Sequence, residues 1–314
     1  MDILFGIEIL LLAALFSLAI TPADFYIAKK LKAIDTPHDG RRMHSRPIPR
    51  LGGVSILFCF LLFSLIWDFS DVGALFFGWA GAILVGFVGV LDDRYTLLPT
   101  VKLFAQSAAA ITSMLGGNVI ERLSLGSFSV ELGILSFPLT LAWILTLVNA
   151  HNFIDGLDGL CAGVSMTESL ALALISFSLG NNETAVAALI LGGACLGFLP
   201  YNAGGAKIFM GDTGSTTVGF LLAFLSTKTL FQTETSVSTA VPLLLFALPL
   251  ADITFAVTRR LLSGKSPFAP DRSHIHHLLA DRIGHHAAAK HLVFAAALLS
   301  AIAYFISIGI TTAR

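Results

Sequence analysis

What most constrains this chain is a succession of apolar runs too long and too frequent for a water-soluble core. A hydrocarbon layer is crossed by about 17–25 predominantly apolar residues in helical form, because only a helix satisfies its own backbone groups there. Scanning for such runs gives ten candidate spans: 3–20, 51–67, 72–91, 101–115, 134–148, 160–179, 184–200, 215–230, 240–257 and 292–310. With 55% hydrophobic and 12% charged residues, an ordinary soluble domain is excluded. The expectation is an all-α polytopic membrane protein forming one integral membrane domain over residues 1–314.

Charge sets the orientation. Of the 19 Lys and Arg residues, sixteen fall in one set of alternating loops, and only Arg122, Lys228 and Arg314 in the other. The basic excess marks the cytoplasmic side, which places both termini outside. The first run lacks a basic n-region and is followed by Lys29, Lys30 and Lys32, so it reads as a retained helix rather than a cleaved signal peptide. Outside lie a short acidic turn at 68–71 and a stretch, 120–132, whose alternation around Gly126 and Ser127 predicts a small structural β-hairpin. Cys59, Cys161 and Cys195 lack metal-ligand spacing and read as packing residues. No segment resembles a nucleic-acid module.

Ionisable residues near hydrocarbon cost up to about 2.5–3.5 kcal/mol each and need a reason. Residues 149–160 read N-A-H-N-F-I-D-G-L-D-G-L. If the turn were helical, Asp155 and Asp158 would share a face and invite a cation, with Gly156 and Gly159 leaving room; alternatively, Asp155 merely caps the next helix. At 91–94, Asp92 and Asp93 are adjacent, so only one is expected to point into a cluster. Pro99 marks a helix start, and Lys102 either snorkels or faces the same cavity. Pro47, Pro49, Gly52 and Gly53 suggest a shaped turn that brings Arg50, a phosphate-binding candidate, to the membrane rim. Asp212 opens the eighth run as either a cap or a phosphate or metal site. His274, His276 and His277 follow Asp271 and Arg272 in a polar segment, whereas His285, His286 and His291 show no pattern. Zinc is the rival reading of the histidines, but carboxylate-rich surroundings suit Mg²⁺, or Mn²⁺, better.

Asp92, Asp93, Asp155, Asp158, Asp212 and the histidines come from four loops that alternation places on one face. This fits a metal-assisted reaction between a phosphorylated soluble substrate and a lipid acceptor. A transporter or flippase for an anionic substrate is the competing class. It calls for midplane charges and internal repeats, whereas here Asp252 is the main intramembrane exception and no repeat is evident.

The chain resembles the polyprenyl-phosphate N-acetylhexosamine-1-phosphate transferases. The resemblance rests on P-I-P-R-L-G-G at 47–53, D-D-R at 92–94, N-x-x-N-F-I-D-G-L-D-G-L at 149–160, K-I-F-M-G-D-T-G-S at 207–215 and S-P-F-x-P-D-R-x-H-I-H-H at 266–277. It implies a bacterial inner-membrane enzyme with its active site on the cytoplasmic face. Such an enzyme transfers a sugar 1-phosphate from a UDP-N-acetylhexosamine, most commonly UDP-GlcNAc, to undecaprenyl phosphate, releases UMP and needs Mg²⁺. H-I-H-H points to the branch that starts O-antigen, common-antigen or teichoic-acid glycans; the peptidoglycan branch carries three consecutive histidines. By resemblance, Asp212 holds the metal and Asp92 or Asp93 activates the lipid phosphate. Asn149, Asn152, Asp155 and Asp158 lie near the nucleotide with Asn202 beside them. The histidines, Arg272 and Arg50 lie near phosphates or sugar. Direct attack is favoured over a phospho-enzyme, since the nucleophile is already an anion. Membrane lipid surrounds the chain, and a homodimer is left open.

Overall fold

A computed structural model describes residues 2–36, 46–67, 72–125, 128–231, 237–264 and 274–312. The acidic turn at 68–71, the hairpin tip at Gly126 and Ser127, the segment carrying Asp271 and Arg272, and Arg314 lie outside the described residues.

Among the described residues, six helices are long and apolar enough to cross a membrane, and they hold six of the ten expected spans: α1 (Ile3–Leu31), α3 (Val72–Tyr95), α5 (Ser136–Ile154), α6 (Leu160–Ser178), α7 (Asn182–Asn202) and α12 (His285–Thr312). The other four runs are also helical but differ in kind. α2 (Gly53–Ile66) is apolar and short, and α4 (Pro99–Leu115) starts on Pro99 as the sequence suggests. α8 (Gly211–Leu230) has the length, yet almost every residue is buried by protein, since α2, α3, α5, α6 and α7 all pack on it. It can therefore be rich in hydroxyls, which bond back to their own helix: Ser215 to Gly211, Thr216 to Asp212 and Thr217 to Thr213. The run at 240–257 is two helices, α9 (Ala240–Leu245) and α10 (Ala247–Leu262), parted at Phe246. Pro249 lacks the N–H that would bond the Leu245 carbonyl, so the helix breaks just before it. α11 (Ile275–Ile283) is short and precedes α12.

The predicted hairpin forms, with β3 (Arg122–Leu125) antiparallel to β4 (Phe128–Glu131) and Arg122 paired with Glu131. A second, two-residue ladder joins β1 (Ile34–Asp35) to β2 (Ile48–Pro49) beside Arg50. α1 ends at Lys32, which takes a left-handed conformation, φ 55°, and sends the chain into that ladder.

Two helix starts are capped from other helices. α2 has no side-chain cap of its own; Asp24, buried in α1, accepts a hydrogen bond from the Ser55 amide at 3.2 Å. α8 is served in the same way by α3. These long-range caps satisfy amide groups that a helix start leaves unbonded, and they fix where α2 and α8 begin.

Candidate active site

The start of α8 is the anchor of the site. Strand-like bonds tie it to the start of α2: Phe209 donates to the Pro49 carbonyl at 2.8 Å, while Gly52 and Gly53 donate to Phe209 and Met210 at 3.0 Å each. The backbones touch. A Cβ on Gly53 would stand 2.1 Å from Gly214 Cα, and one on Gly89 2.5 Å from Thr213 Cα. Glycine alone permits this approach, which holds Asp212 at the junction of α2, α3 and α8.

Both carboxylates of the Asp92–Asp93 pair are engaged, contrary to the expectation that one would face away. A step of about 100° along a helix separates them, and α3 has a neighbour on each side. Asp93 Oδ1 accepts from the Asp212 amide at 3.0 Å, with Arg50 Nε at 3.8 Å. Its Oδ2 accepts from the Thr213 amide at 3.0 Å and the Thr213 hydroxyl at 2.7 Å. Asp93 is therefore the cap of α8. Asp92 instead faces α4, where Lys102 Nζ donates to it at 3.1 Å and to Asp212 Oδ2 at 2.5 Å. Lys102 thus faces the cluster rather than snorkelling. Asp93→Asn, which sets an amide NH2 donor against groups that themselves donate, is expected to cost about 1–3 kcal/mol of stability. A lowered melting temperature, compared with Asp92→Asn, checks it.

Beside this cluster lies a cavity of about 330 Å³ whose lining includes Asp35, Arg50, Asn152, Asp155, Asp158 and Asp212. The turn between α5 and α6 is not helical: α5 ends with Asp155 as its C-cap, and the N-cap of α6 is Gly159, so Asp155 does not cap the next helix. Both carboxylates still reach the cavity. Asp158 also accepts from the Ala206 amide at 2.8 Å. Burial, then the charges of Asp212 and Asp93, push the Asp155 carboxyl well above the usual carboxylate range.

Asn152 donates to Ser215 at 3.0 Å, and Asn149 donates to Gln106 of α4 at 2.9 Å. Asn202 is buried and doubly used, accepting from the Gly159 amide at 2.9 Å and donating to the Ile208 carbonyl at 3.0 Å. It ties the two loops that frame the cavity.

The histidines stand across Gly156 from the cavity. His274 and His276 are buried against Asp252, and a Cβ on Gly156 would lie 2.4 Å from His276 Nε2. Burial lowers His277 to about 4, so it is neutral near pH 7. Arg272 lies outside the described residues.

Sequence reasoning missed Asp35, which lines the cavity, Gln106, which holds Asn149, and Glu168 of α6, which pairs with His151 at 2.7 Å in the interior; it singled out Asp252 as an intramembrane charge but not as the residue that gathers the histidines. An ionisable residue within an apolar run was the available signal for Asp252 and Glu168; Gln106 carried none.

The oxygen donors of Asp212, Asp155 and Asp158 around a polar cavity fit a hard divalent cation. Among the described residues, candidate ligand atoms within 4.8 Å of one another are met at Asp252, His274 and His276, and not at those three carboxylates.

The chain is similar to known proteins over most of its length. Residues 75–230 match Glycosyl transferase family 4. A probable undecaprenyl-phosphate N-acetylglucosaminyl 1-phosphate transferase of Bacillus subtilis is 38% identical over 267 residues, 83% of this chain and 74% of the relative. The undecaprenyl-phosphate alpha-N-acetylglucosaminyl 1-phosphate transferase of Escherichia coli K12 is 33% identical over 262 residues, 81% and 70% of the two chains. The decaprenyl-phosphate N-acetylglucosaminephosphotransferase of Mycobacterium tuberculosis H37Rv is 34% identical over 293 residues, 82% and 71%. With most of its length matched at this identity, the chain is a multi-pass membrane protein that belongs to glycosyl transferase family 4, among the polyprenyl-phosphate N-acetylglucosamine 1-phosphate transferases.

Proposed function

We propose that the protein transfers N-acetylglucosamine 1-phosphate from UDP-GlcNAc to undecaprenyl phosphate, releasing UMP, at the cytoplasmic face of a bacterial inner membrane. The observation that carries this reading is Lys102 held between Asp92 and Asp212, where an apolar helix bundle meets a polar cavity. A lipid phosphate can approach such an ammonium from the membrane side, and a nucleotide sugar can fill the cavity from the other.

An oxygen of the acceptor phosphate attacks the β-phosphorus of the donor; the bond to the bridging oxygen breaks, and UMP leaves carrying that oxygen. Lys102 binds the acceptor phosphate and orients it. Asp92 accepts a proton from an acceptor that arrives as the monoanion; Asp93 is unsuited to that task, because both its oxygens already serve α8 and Arg50. Arg50 and Asn152 lie where they can hold the diphosphate and nucleotide. Asp212 would hold Mg²⁺, which would supply neutralisation of the diphosphate charge. The product begins a lipid-linked envelope glycan such as O-antigen, common antigen or teichoic acid, in keeping with H-I-H-H at 274–277. A transport path is not favoured: the acidic cluster gathers at one end of the bundle, and Glu168, the charge deepest in α6, is paired with His151.

The test is purified full-length protein with UDP-GlcNAc, undecaprenyl phosphate and Mg²⁺. Equimolar UMP and lipid-linked GlcNAc diphosphate are expected, with product lost on chelation and restored by Mg²⁺. Silence with every UDP-N-acetylhexosamine overturns the proposal.

A further inference from the structure

We propose that Asp252 and Arg260 of α10 are a positioning pair that fixes the ring tautomers of His274 and His276, so that His276 offers the lone pair of Nε2 to an N–H or O–H group of the donor rather than a positive charge to its phosphates. The proposal rests on the donor reading above and sharpens it.

Asp252 is 2% exposed and sits inside a helix, yet three donors converge on it. His274 Nδ1 is 2.8 Å from Oδ2; the Ile275 amide is 2.7 Å and His276 Nδ1 is 3.3 Å from Oδ1. An ionised carboxylate only accepts, so both rings carry a proton on Nδ1. From the other side, Arg260 lies 3.3 Å from His274 Nε2. A guanidinium only donates, so that nitrogen holds a lone pair and His274 is neutral. Arg260, His274 and Asp252 form a relay whose two charges offset each other, and nothing in it calls for a second cation on His276. Phe153, from the end of α5, packs on both His274 and Arg260, with centroid distances of 5.4 and 5.7 Å.

The same relay decides against a metal. A cation on His274 Nδ1 would drive the ring proton to Nε2, where it would meet the Arg260 N–H donor to donor. Proximity of Asp252, His274 and His276 is therefore a hydrogen-bond network and not a zinc site.

Two ring nitrogens of the cluster, His276 Nε2 and His277 Nδ1, are buried and have no partner among the described residues, and the one against Gly156 of the cavity wall is His276 Nε2. A buried acceptor without a donor is costly, and a hydroxyl or N–H of a bound nucleotide sugar relieves it. A phosphate, itself an acceptor, does not.

The test is steady-state kinetics of the full chain in nanodiscs, varying UDP-GlcNAc and undecaprenyl phosphate separately. Asp252→Asn, which frees the tautomers, is expected to raise the donor KM about tenfold or more and to leave the acceptor KM within about twofold. Gly156→Ala, which displaces the His276 ring without touching the relay, is expected to do the same. His276→Gln, which keeps an acceptor, should retain more donor affinity than His276→Lys, which keeps a charge. A His276→Lys variant with wild-type donor KM, equal rises in both KM values, or stoichiometric zinc in the purified protein overturns the proposal. If the wild type turns over no UDP-sugar, the proposed function falls and this inference with it; wild-type turnover with the wrong KM pattern removes this inference alone.

Discussion

Asp212→Asn is expected to reduce turnover at saturating donor and acceptor on the order of a thousandfold, the scale at which a preorganised charge partner is lost from a reacting phosphate. The residual activity should need more Mg²⁺ than wild type. The geometry separates this from unfolding: the Asp212 amide bonds to Asp93 and its carbonyl to Thr216, and both survive a side-chain change. The variant should therefore melt near the wild-type temperature, while Asp93→Asn melts lower. Near-normal turnover with an unchanged Mg²⁺ optimum would transfer the metal to another carboxylate, with Asp155 the first candidate because it lines the same cavity as Asp212.

Gly53→Ala should be among the most damaging neutral substitutions at the described residues. Its methyl would stand 2.1 Å from both Gly214 Cα and Gly214 N, so backbone must yield rather than a side chain. Overpacking of well-packed helices costs about 1–3 kcal/mol and occasionally more, and a backbone-to-backbone clash belongs at the upper end. Separation of α2 from α8 would also break the bonds from Gly52 and Gly53 to Phe209 and Met210 that hold Asp212 in place. Loss of thermal stability together with loss of activity is expected. Gly309→Ala, with nothing within 4 Å of the added methyl, is the control and should match wild type in both. Equal behaviour of the two variants would mean that the junction is looser than the described contacts.

Periodic apolar runs made the helices legible because each satisfies its own backbone, so a local pattern suffices to specify it. Each of the ten candidate runs is helical, Pro99 starts α4 as its fixed φ and missing N–H suggest, and the alternation at 120–132 forms its hairpin. Where reading failed, the cause was non-local. A helix buried by protein and one facing lipid have the same period, so the run at 215–230 could not be told from a lipid-facing span. Adjacent Asp92 and Asp93 were expected to compete for one space because a sequence does not show that α4 and α8 both pack on α3, so that each carboxylate finds its own donors. The turn after α5 offered an acidic cap for α6 that the chain does not use, since Asp158 is taken by Ala206 and a glycine serves as the cap.

By itself, the sequence determined the class of molecule, the residue types at one end of its helices and the resemblance carried by five motifs, all properties of local pattern and order along the chain. Only the tertiary structure decided the division of labour among the carboxylates: Asp93 and Asp24 as caps for distant helices, Asp92 and Asp212 on Lys102, Asp252 beneath the histidines. The reason is physical. A carboxylate's role is set by which donors reach its few lone pairs, and those donors lie up to 120 residues away, brought into range by glycine contacts between helix backbones.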